Sequence, residues 1–418
     1  MTEDGQAARR LRAEMVAHLR RHAGLSDERV AGALGQVPRH LFVPAAELDD
    51  AYGDQAIPTH FRHGVACSSA SQPAIVATML EQLSPPGGGS VLEVGAGTGY
   101  NAALLSVLVS PGGRVVTVDI EAEVVDEARA HLSRAGVSNV EVIHGDGASG
   151  WVEGAPYDGI IVTAGSSDIA PAWFDQLGAG GRLVMPLSIR GVQHCVALAP
   201  ADGHLRSVAI CECGFMPLTG TMANSDQSRP VPAHDGVYLI ASSGLTVDPA
   251  VVGWALDRPL ASRDLGVRAS VKEVFGSLRR WLALHEPAAA TLTYIGPPEA
   301  ADRSGVPQVV VFPGPGVAQR SSPCLLGEAG FAVLDVVEPG VGDADSFLNA
   351  MLDLAVRRQG DASGEAARLA ELVGQWDAAG RPGVDRLRID AYPTGSEAPA
   401  DGGIVHRARH TTFVLTTA

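Results

Sequence analysis

The residues most able to do chemistry open with Glu93-Val94-Gly95-Ala96-Gly97-Thr98-Gly99-Tyr100, which follows the apolar pair Val91-Leu92. A strand that runs into a glycine-rich turn and then a helix lets backbone approach a ligand where a side chain would collide. A nicotinamide-binding loop carries its third glycine one position later, where this chain has Tyr100. The E-x-G-x-G-x-G spacing fits instead a loop that holds S-adenosylmethionine, a cofactor without a pyrophosphate. Asp119-Ile120 stands twenty residues past Gly99, at the end of the next apolar run. A carboxylate there can accept hydrogen bonds from both ribose hydroxyls. Asp146-Gly147 ends the run after that, where Asp146 can meet the adenine amino group. Each acid could instead cap the turn that follows it. Three successive strand ends so equipped favour the cofactor, with contacts from Glu93, Gly95, Ala96, Gly97, Thr98, Gly99, Asp119, Ile120, Asp146 and Gly147.

A second group, Ser69-Ala70-Ser71-Gln72, precedes Pro73. Proline suits the first turn of a helix, and the stripe of Ile75, Val76, Met79, Leu80 and Leu83 predicts one over 73–83. Backbone N–H groups at a helix start attract an anion, and a hydroxyl adds a donor. Ser71, assisted by Ser69 and Gln72, can therefore orient an accepting carboxylate; it can equally be the N-cap of that helix. A carboxylate of pKa about 4 is ionised at neutral pH and needs no general base. Methyl transfer to it then rests on in-line positioning and exclusion of water. No Ser-His-Asp or His-Glu constellation is evident, and His60 and His63, in the same segment, are expected to be solvated or structural.

These groups need a scaffold, and the flanking pattern supplies one. Residues 1–35 are predicted helical, with a helix start at Ser26. Residues 45–72 lack periodicity and are expected to be loop. Strands are predicted at 90–94, 114–120, 140–144, 157–163 and 182–187, with helices at 100–109 and 122–135. Such alternation implies a parallel sheet covered by helices on both faces. Segments 194–198 and 207–215 have no helix between them and are expected to form a hairpin at the sheet's edge. Past about residue 221 the character changes. Strands near 237–241, 291–295, 308–312, 331–337, 386–392 and 411–416, with helices at 270–284, 344–358 and 364–378, predict a second, α+β domain. The expected architecture is thus a Rossmann-like α/β domain over 1–222 and a C-terminal α+β domain over 223–418.

Composition bounds the partners. With 47 acidic against 31 basic residues the net charge is −16, and a nucleic-acid partner would demand a basic surface. No apolar run approaches a membrane span, and the N-terminal stretch lacks the apolar core of a secretory signal. The cysteines, Cys67, Cys195, Cys211, Cys213 and Cys324, form an odd, scattered set that suits a reducing cytoplasm. Cys211 and Cys213 share one face of a strand, but nothing nearby completes a zinc ligand set, so no metal is expected. Trp151, Trp173, Trp254, Trp281 and Trp376 are expected to be core or interface anchors.

Several ordered blocks carry a resemblance: Val37-Pro38-Arg39-His40-Leu41-Phe42-Val43-Pro44, Ala51-Tyr52-Gly53-Asp54, Ser71-Gln72-Pro73-Ala74, Gly145-Asp146-Gly147-Ala148-Ser149-Gly150-Trp151, Gly180-Gly181-Arg182-Leu183-Val184-Met185-Pro186 and Phe215-Met216-Pro217-Leu218-Thr219-Gly220. Over about residues 35–220 the chain resembles the protein-L-isoaspartate (D-aspartate) O-methyltransferases. The resemblance implies carboxyl methyl transfer from S-adenosylmethionine to an aspartyl or isoaspartyl side chain of a peptide or protein, with Ser71 orienting the acceptor. Two departures bear on the substrate. Thr163-Ala164 is followed by Gly165-Ser166-Ser167 rather than the usual alanine-rich stretch, and about 200 residues follow the core. That extension resembles those of actinobacterial relatives associated with ribosomally made, modified peptides of the lanthipeptide and graspetide kind.

The expected activity is therefore tailoring of such a peptide, a cyclised precursor included, through a methyl ester and a succinimide to isoaspartate. General repair of isoaspartyl proteins is the alternative. A non-catalytic peptide-binding subunit is the reading of another class, and the intact glycines and acids argue against it. The extra domain is expected to serve substrate recognition or to assemble a homodimer.

Overall fold

The computed structural model describes residues 3–62, 65–223, 228–241, 248–314, 317–337, 349–398 and 403–417. The chain divides into two compact units: Met1–Leu187 with Gln193–Asn224 and Arg388–Ala418, and Ser188–Val192 with Ser225–Leu387. Among the described residues no helix is long and apolar enough to cross a membrane.

The first unit begins with α1 (Glu3–His22) and α2 (Glu28–Gln36). The cap of α2 falls at Asp27 rather than Ser26: its carboxylate accepts from the Arg29 and Val30 N–H groups, while the Ser26 N–H and hydroxyl turn to Glu81. The segment expected to be loop holds a short helix, α3 (Leu48–Tyr52), and an antiparallel hairpin, β1 (Ile57–Arg62) with β2 (Val65–Ala70). A two-stranded ribbon that puts little beyond Ala70 and Ile57 against the core carries no sustained alternating hydrophobic pattern, which is why periodicity does not reveal it. Then follow α4 (Pro73–Leu83), β3 (Ser90–Val94), α5 (Tyr100–Leu108), β4 (Arg114–Asp119), α6 (Ala122–Arg134), β5 (Val140–His144), β6 (Tyr157–Val162), α7 (Pro171–Gln176), β7 (Leu177–Ile189), β8 (Val192–Ala201) and β9 (His204–Glu212).

Strands β5, β4, β3, β6 and β7 lie in that order and pair parallel. The order reverses between β3 and β6, the switch point at which doubly wound sheets open a crevice beyond the strands' carboxyl ends. The central runs are largely apolar because both faces are covered: Val91, Leu92, Ile160, Ile161 and Leu183 are all fully buried.

The second unit contains β10 (Ser228–Pro230), β11 (Val237–Ala241), α8 (Pro249–Leu256), β12 (Pro259–Ser270), α9 (Val271–Glu273), a π turn (Val274–Leu278), α10 (Arg279–His285), β13 (Ala289–Gly296), β14 (Val310–Gly314), β15 (Val317–Leu326), β16 (Gly330–Val336), β17 (Met351–Gly360) and α11 (Ser363–Ala378). Its eight-stranded sheet runs β10-β11-β13-β15-β16-β17-β12, with β14 on β15. The helix predicted over 344–358 is not found. Its first part lies outside the described residues, and Met351–Gly360 is a strand with Leu352, Leu354 and Val356 buried at period two. Trp376 is a core anchor, whereas Trp254 is 48% exposed under the stacked Arg258 guanidinium.

The chain then returns. Strands β18 (Leu387–Pro393), β19 (Ile404–Arg407) and β20 (Thr411–Thr417) extend the first unit's sheet as β9-β18-β20-β19, giving ten strands. The β8–β9 hairpin is therefore interior, not the edge expected of it, and the single boundary at 222/223 does not describe residues 388–418. Their anchors are specific. Asp390 accepts from Arg206 Nε at 2.6 Å and meets His204 Nε2 at 3.1 Å. The His410 N–H donates to Asp168 at 2.7 Å.

Candidate active site

A cavity of about 670 Å³ opens at the switch point. Its walls come from the ends of β3, β4 and β6, the turn after β5, the hairpin β1–β2 with the start of α4, and Glu212–Thr219. Of the residues predicted to hold the cofactor, Glu93, Gly95, Ala96, Gly97, Thr98, Asp119, Ile120, Asp146 and Gly147 line it, as do Ser69, Ser71 and Gln72. Gly99 does not. It stands at φ +84° as the N-cap of α5, and a Cβ there would come within 3.3 Å of the Ala128 carbonyl on α6. Its missing side chain serves helix packing behind the loop.

The glycine loop is cut to fit. Gly95 has φ +97°, which a side chain rarely tolerates, and its absent Cβ would lie 2.5 Å from Thr163 Oγ1. The Thr163 hydroxyl donates to the Gly95 carbonyl at 2.8 Å and locks the loop to β6. A Cβ on Gly147 would collide with Val94. From outside, Trp173 Nε1 donates to the Gly147 carbonyl at 2.9 Å, so this buried tryptophan also fixes the turn after β5.

The acids divide in role. Asp119 Oδ2 accepts from the Gly97 N–H at 3.2 Å and Oδ1 from the Glu121 N–H at 3.1 Å. Asp146 is a turn cap as well as a wall residue. It accepts from the Ala148 N–H at 2.9 Å and from both the N–H and the hydroxyl of Thr221 at 2.8 Å. Although burial opposes it, this set of donors holds the Asp146 carboxyl below the usual range.

Glu93 is wholly buried. Burial pushes its carboxyl up to about 7, against hydrogen bonds donated by Thr117 Oγ1 at 2.6 Å and Asn101 Nδ2 at 2.8 Å. Between its ordinary value and about 7 only the folded chain keeps this proton. Stability linked to Glu93 is then fully present at low pH and is lost as pH rises through about 7. Glu93→Gln keeps one acceptor and one donor in place and should remove that loss, on the order of 3 kcal/mol. Urea midpoints of both proteins across this range check it; parallel pH slopes would refute it.

Ser71 is not the N-cap of α4. The N-cap position is Gln72, and the capping carboxylate comes from outside the helix: Asp54 Oδ1 accepts the Ala74 N–H at 2.9 Å and Oδ2 the Gln72 Nε2 at 3.2 Å. Gln72 is thereby tethered to the scaffold. The Ser71 hydroxyl caps nothing and has no hydrogen-bond partner among the described residues, so it is free to donate into the cavity. Its backbone is held by Arg39, which is fully buried. Arg39 donates to the carbonyls of Ser71 at 3.0 Å, Ala51 at 2.8 Å and Gln55 at 3.4 Å. Burial lowers its pKa, yet a guanidinium stays charged. Arg39 and Asp54 were visible only as members of ordered blocks; no spacing says which carbonyl or helix end they would hold.

The hairpin forms the cavity's outer lip. His60 lies 3.4 Å from Glu127 of α6, and Phe61 is 64% exposed at the rim. His63 lies outside the described residues.

A family model described as protein-L-isoaspartate(D-aspartate) O-methyltransferase matches residues 10–223. A protein-L-isoaspartate O-methyltransferase of Methanoculleus marisnigri is 42% identical over 227 residues, 54% of this chain and 100% of that one. One of Desulfosudis oleivorans is 42% identical over 211 residues, 50% of this chain and 92% of that one. Among solved structures, a protein-L-isoaspartate O-methyltransferase aligns over 91% of this chain and 96% of its own, with 22% identity and a TM-score of 0.49.

Proposed function

The chain belongs to the protein-L-isoaspartate(D-aspartate) O-methyltransferase family, a family of S-adenosylmethionine-dependent enzymes, and on that premise we propose that it methylates the free carboxylate of an isoaspartyl residue in a peptide or protein. The observation that carries the proposal is the free Ser71 hydroxyl, in a cavity that the collision-limited glycine loop also lines. The fit to the cofactor rests on that loop and on Asp119, with an acceptor oxygen beside Gly97. When bound, S-adenosylmethionine supplies the methyl group as an electrophilic sulfonium.

The chain's own residues do the rest. Ser71 donates to one oxygen of the incoming carboxylate, which is already ionised and leaves the other oxygen as nucleophile. Arg39 fixes the Ser71 backbone, and Asp54 fixes Gln72 and the first turn of α4. The apolar walls of Ile75, Val76 and Met79 keep water from the reacting pair. Asp119 would hold the ribose hydroxyls and Asp146 the adenine edge. Asp119→Ala should weaken binding of the demethylated cofactor by on the order of 1–3 kcal/mol by calorimetry. Unchanged affinity would count against this assignment.

A second reading, tailoring of a ribosomally made peptide, is favoured by one observation: residues 224–418 fall outside the family match. On that reading the second unit recognises a constrained peptide, which costs less ordering entropy to bind, or pairs two copies of the chain. An aspartyl methyl ester attacked by the next backbone N–H would expel methanol and close to a succinimide, which water would open to isoaspartate. Mass spectrometry on a cyclised precursor, its linear form and a generic isoaspartyl peptide separates the readings: ester or water loss at an aspartate of the cyclised form alone supports tailoring, and its absence removes it.

A further inference from the structure

Cys195 and Cys211 are direct partners across the antiparallel β8–β9 hairpin. Opposed residues in such a ladder have Cα atoms about 4.5 or 5.5 Å apart, and both spacings fall inside the disulfide range of about 4.4–6.8 Å. Their sulfurs also converge on one small group. Cys195 Sγ–H donates to Gln82 Oε1 at 3.2 Å, and Gln82 Nε2 donates to Cys211 Sγ at 3.6 Å. Two thiols on the two ends of a single carboxamide, from directly paired positions, form a site that methyl transfer does not use.

We propose that Cys195 and Cys211 are a redox-active dithiol that closes to a disulfide under peroxide and reopens with thiol reductant. The two sulfurs are unequal. Cys195 is wholly buried, while Cys211 is only partly buried. The neighbouring Cys195 thiol lowers the Cys211 pKa, with Gln82 aiding and burial opposing, and the same contact, with burial, raises that of Cys195. Cys211 is thus the attacking thiolate. It displaces hydroxide from hydrogen peroxide to give a sulfenic acid; the Cys195 sulfur then attacks that sulfur, and the sulfenic oxygen leaves as water with the Cys195 proton. Two thiols are oxidised and one peroxide becomes two waters.

The site is wired to the cavity from both sides. Gln82 belongs to α4, whose first turn follows Ser71-Gln72. Directly past Cys211, Glu212 begins the wall Glu212–Thr219. Closing the disulfide takes the Cys195 thiol proton from Gln82 and draws β8 and β9 together just before that wall. The reduced form is the active one.

The test uses the full chain. Peroxide treatment followed by non-reducing peptide mapping should give one cross-linked pair, Cys195 to Cys211, lighter by two hydrogens. Methyl transfer should fall at least fivefold and recover with dithiothreitol. Cys211→Ser, partly exposed and so tolerant, should abolish both the cross-link and the reversible loss; Cys195→Ser should leave Cys211 trapped as its sulfenic acid. Oxygen added only at Cys67, or a cross-link elsewhere, overturns the proposal. The activity arm rests on the methyltransferase reading, whereas the mapping does not, so a cross-link without activity in either state would fault that reading and spare the dithiol.

Discussion

Deleting residues 388–418 should leave the first unit unable to hold its fold. Strands β18 and β20 bury Ile389, Ala391, Phe413, Val414 and Leu415, each at most 5% exposed. Burying one large apolar side chain contributes about 1.5–3 kcal/mol, so the larger of these together approach the ~5–15 kcal/mol stability of a whole domain. Removing them also bares the β9 edge and leaves Asp168 without the His410 N–H. The two relatives compared above are about half this length. The truncated protein should aggregate or melt without a cooperative transition, and should lose affinity for the demethylated cofactor. An unchanged melting curve would show that the returning strands are an accessory.

Ser71→Ala should lower turnover by about 10- to 100-fold, the worth of one hydrogen bond to a charged group, about 1.5–3 kcal/mol. Because Ser71 Oγ supports no protein group, and Arg39 and Asp54 hold the backbone around it, the variant should keep the wild-type melting temperature and cofactor affinity. Kinetics with an isoaspartyl peptide, beside a thermal melt, read both. Equal loss of stability and turnover would make Ser71 structural; a normal rate would leave the acceptor carboxylate to other donors.

What the sequence could and could not disclose follows from range. The parallel core was legible because each strand and helix carries its own period: 90–94 and 73–83 match β3 and α4 to the residue. The glycine loop and the two acids were legible because they sit at those strands' ends. The strands near 386–392 and 411–416 were visible too, but alternation says that one face is buried, not against what. The first of them pairs with β9, some 180 residues away in sequence, and the second pairs with the first. The same limit hid Arg39 and Asp54, whose bonds to Ser71, Gln72 and Ala74 join segments that no local pattern connects. Residues 351–358 read as helix because Leu352, Leu354 and Val356 at period two sit beside Met351, Ala355 and the arginines, which also satisfy a helix.

The most direct test of carboxyl methyl transfer incubates the full chain with S-adenosylmethionine and two peptides that differ only in one residue, isoaspartyl in one and aspartyl in the other. Mass spectrometry follows the peptides while the demethylated cofactor is measured alongside. The account predicts one methyl ester on the isoaspartyl peptide, matched mole for mole by demethylated cofactor, and none on its aspartyl twin. A chain that binds the cofactor yet leaves the isoaspartyl peptide unmethylated would contradict it.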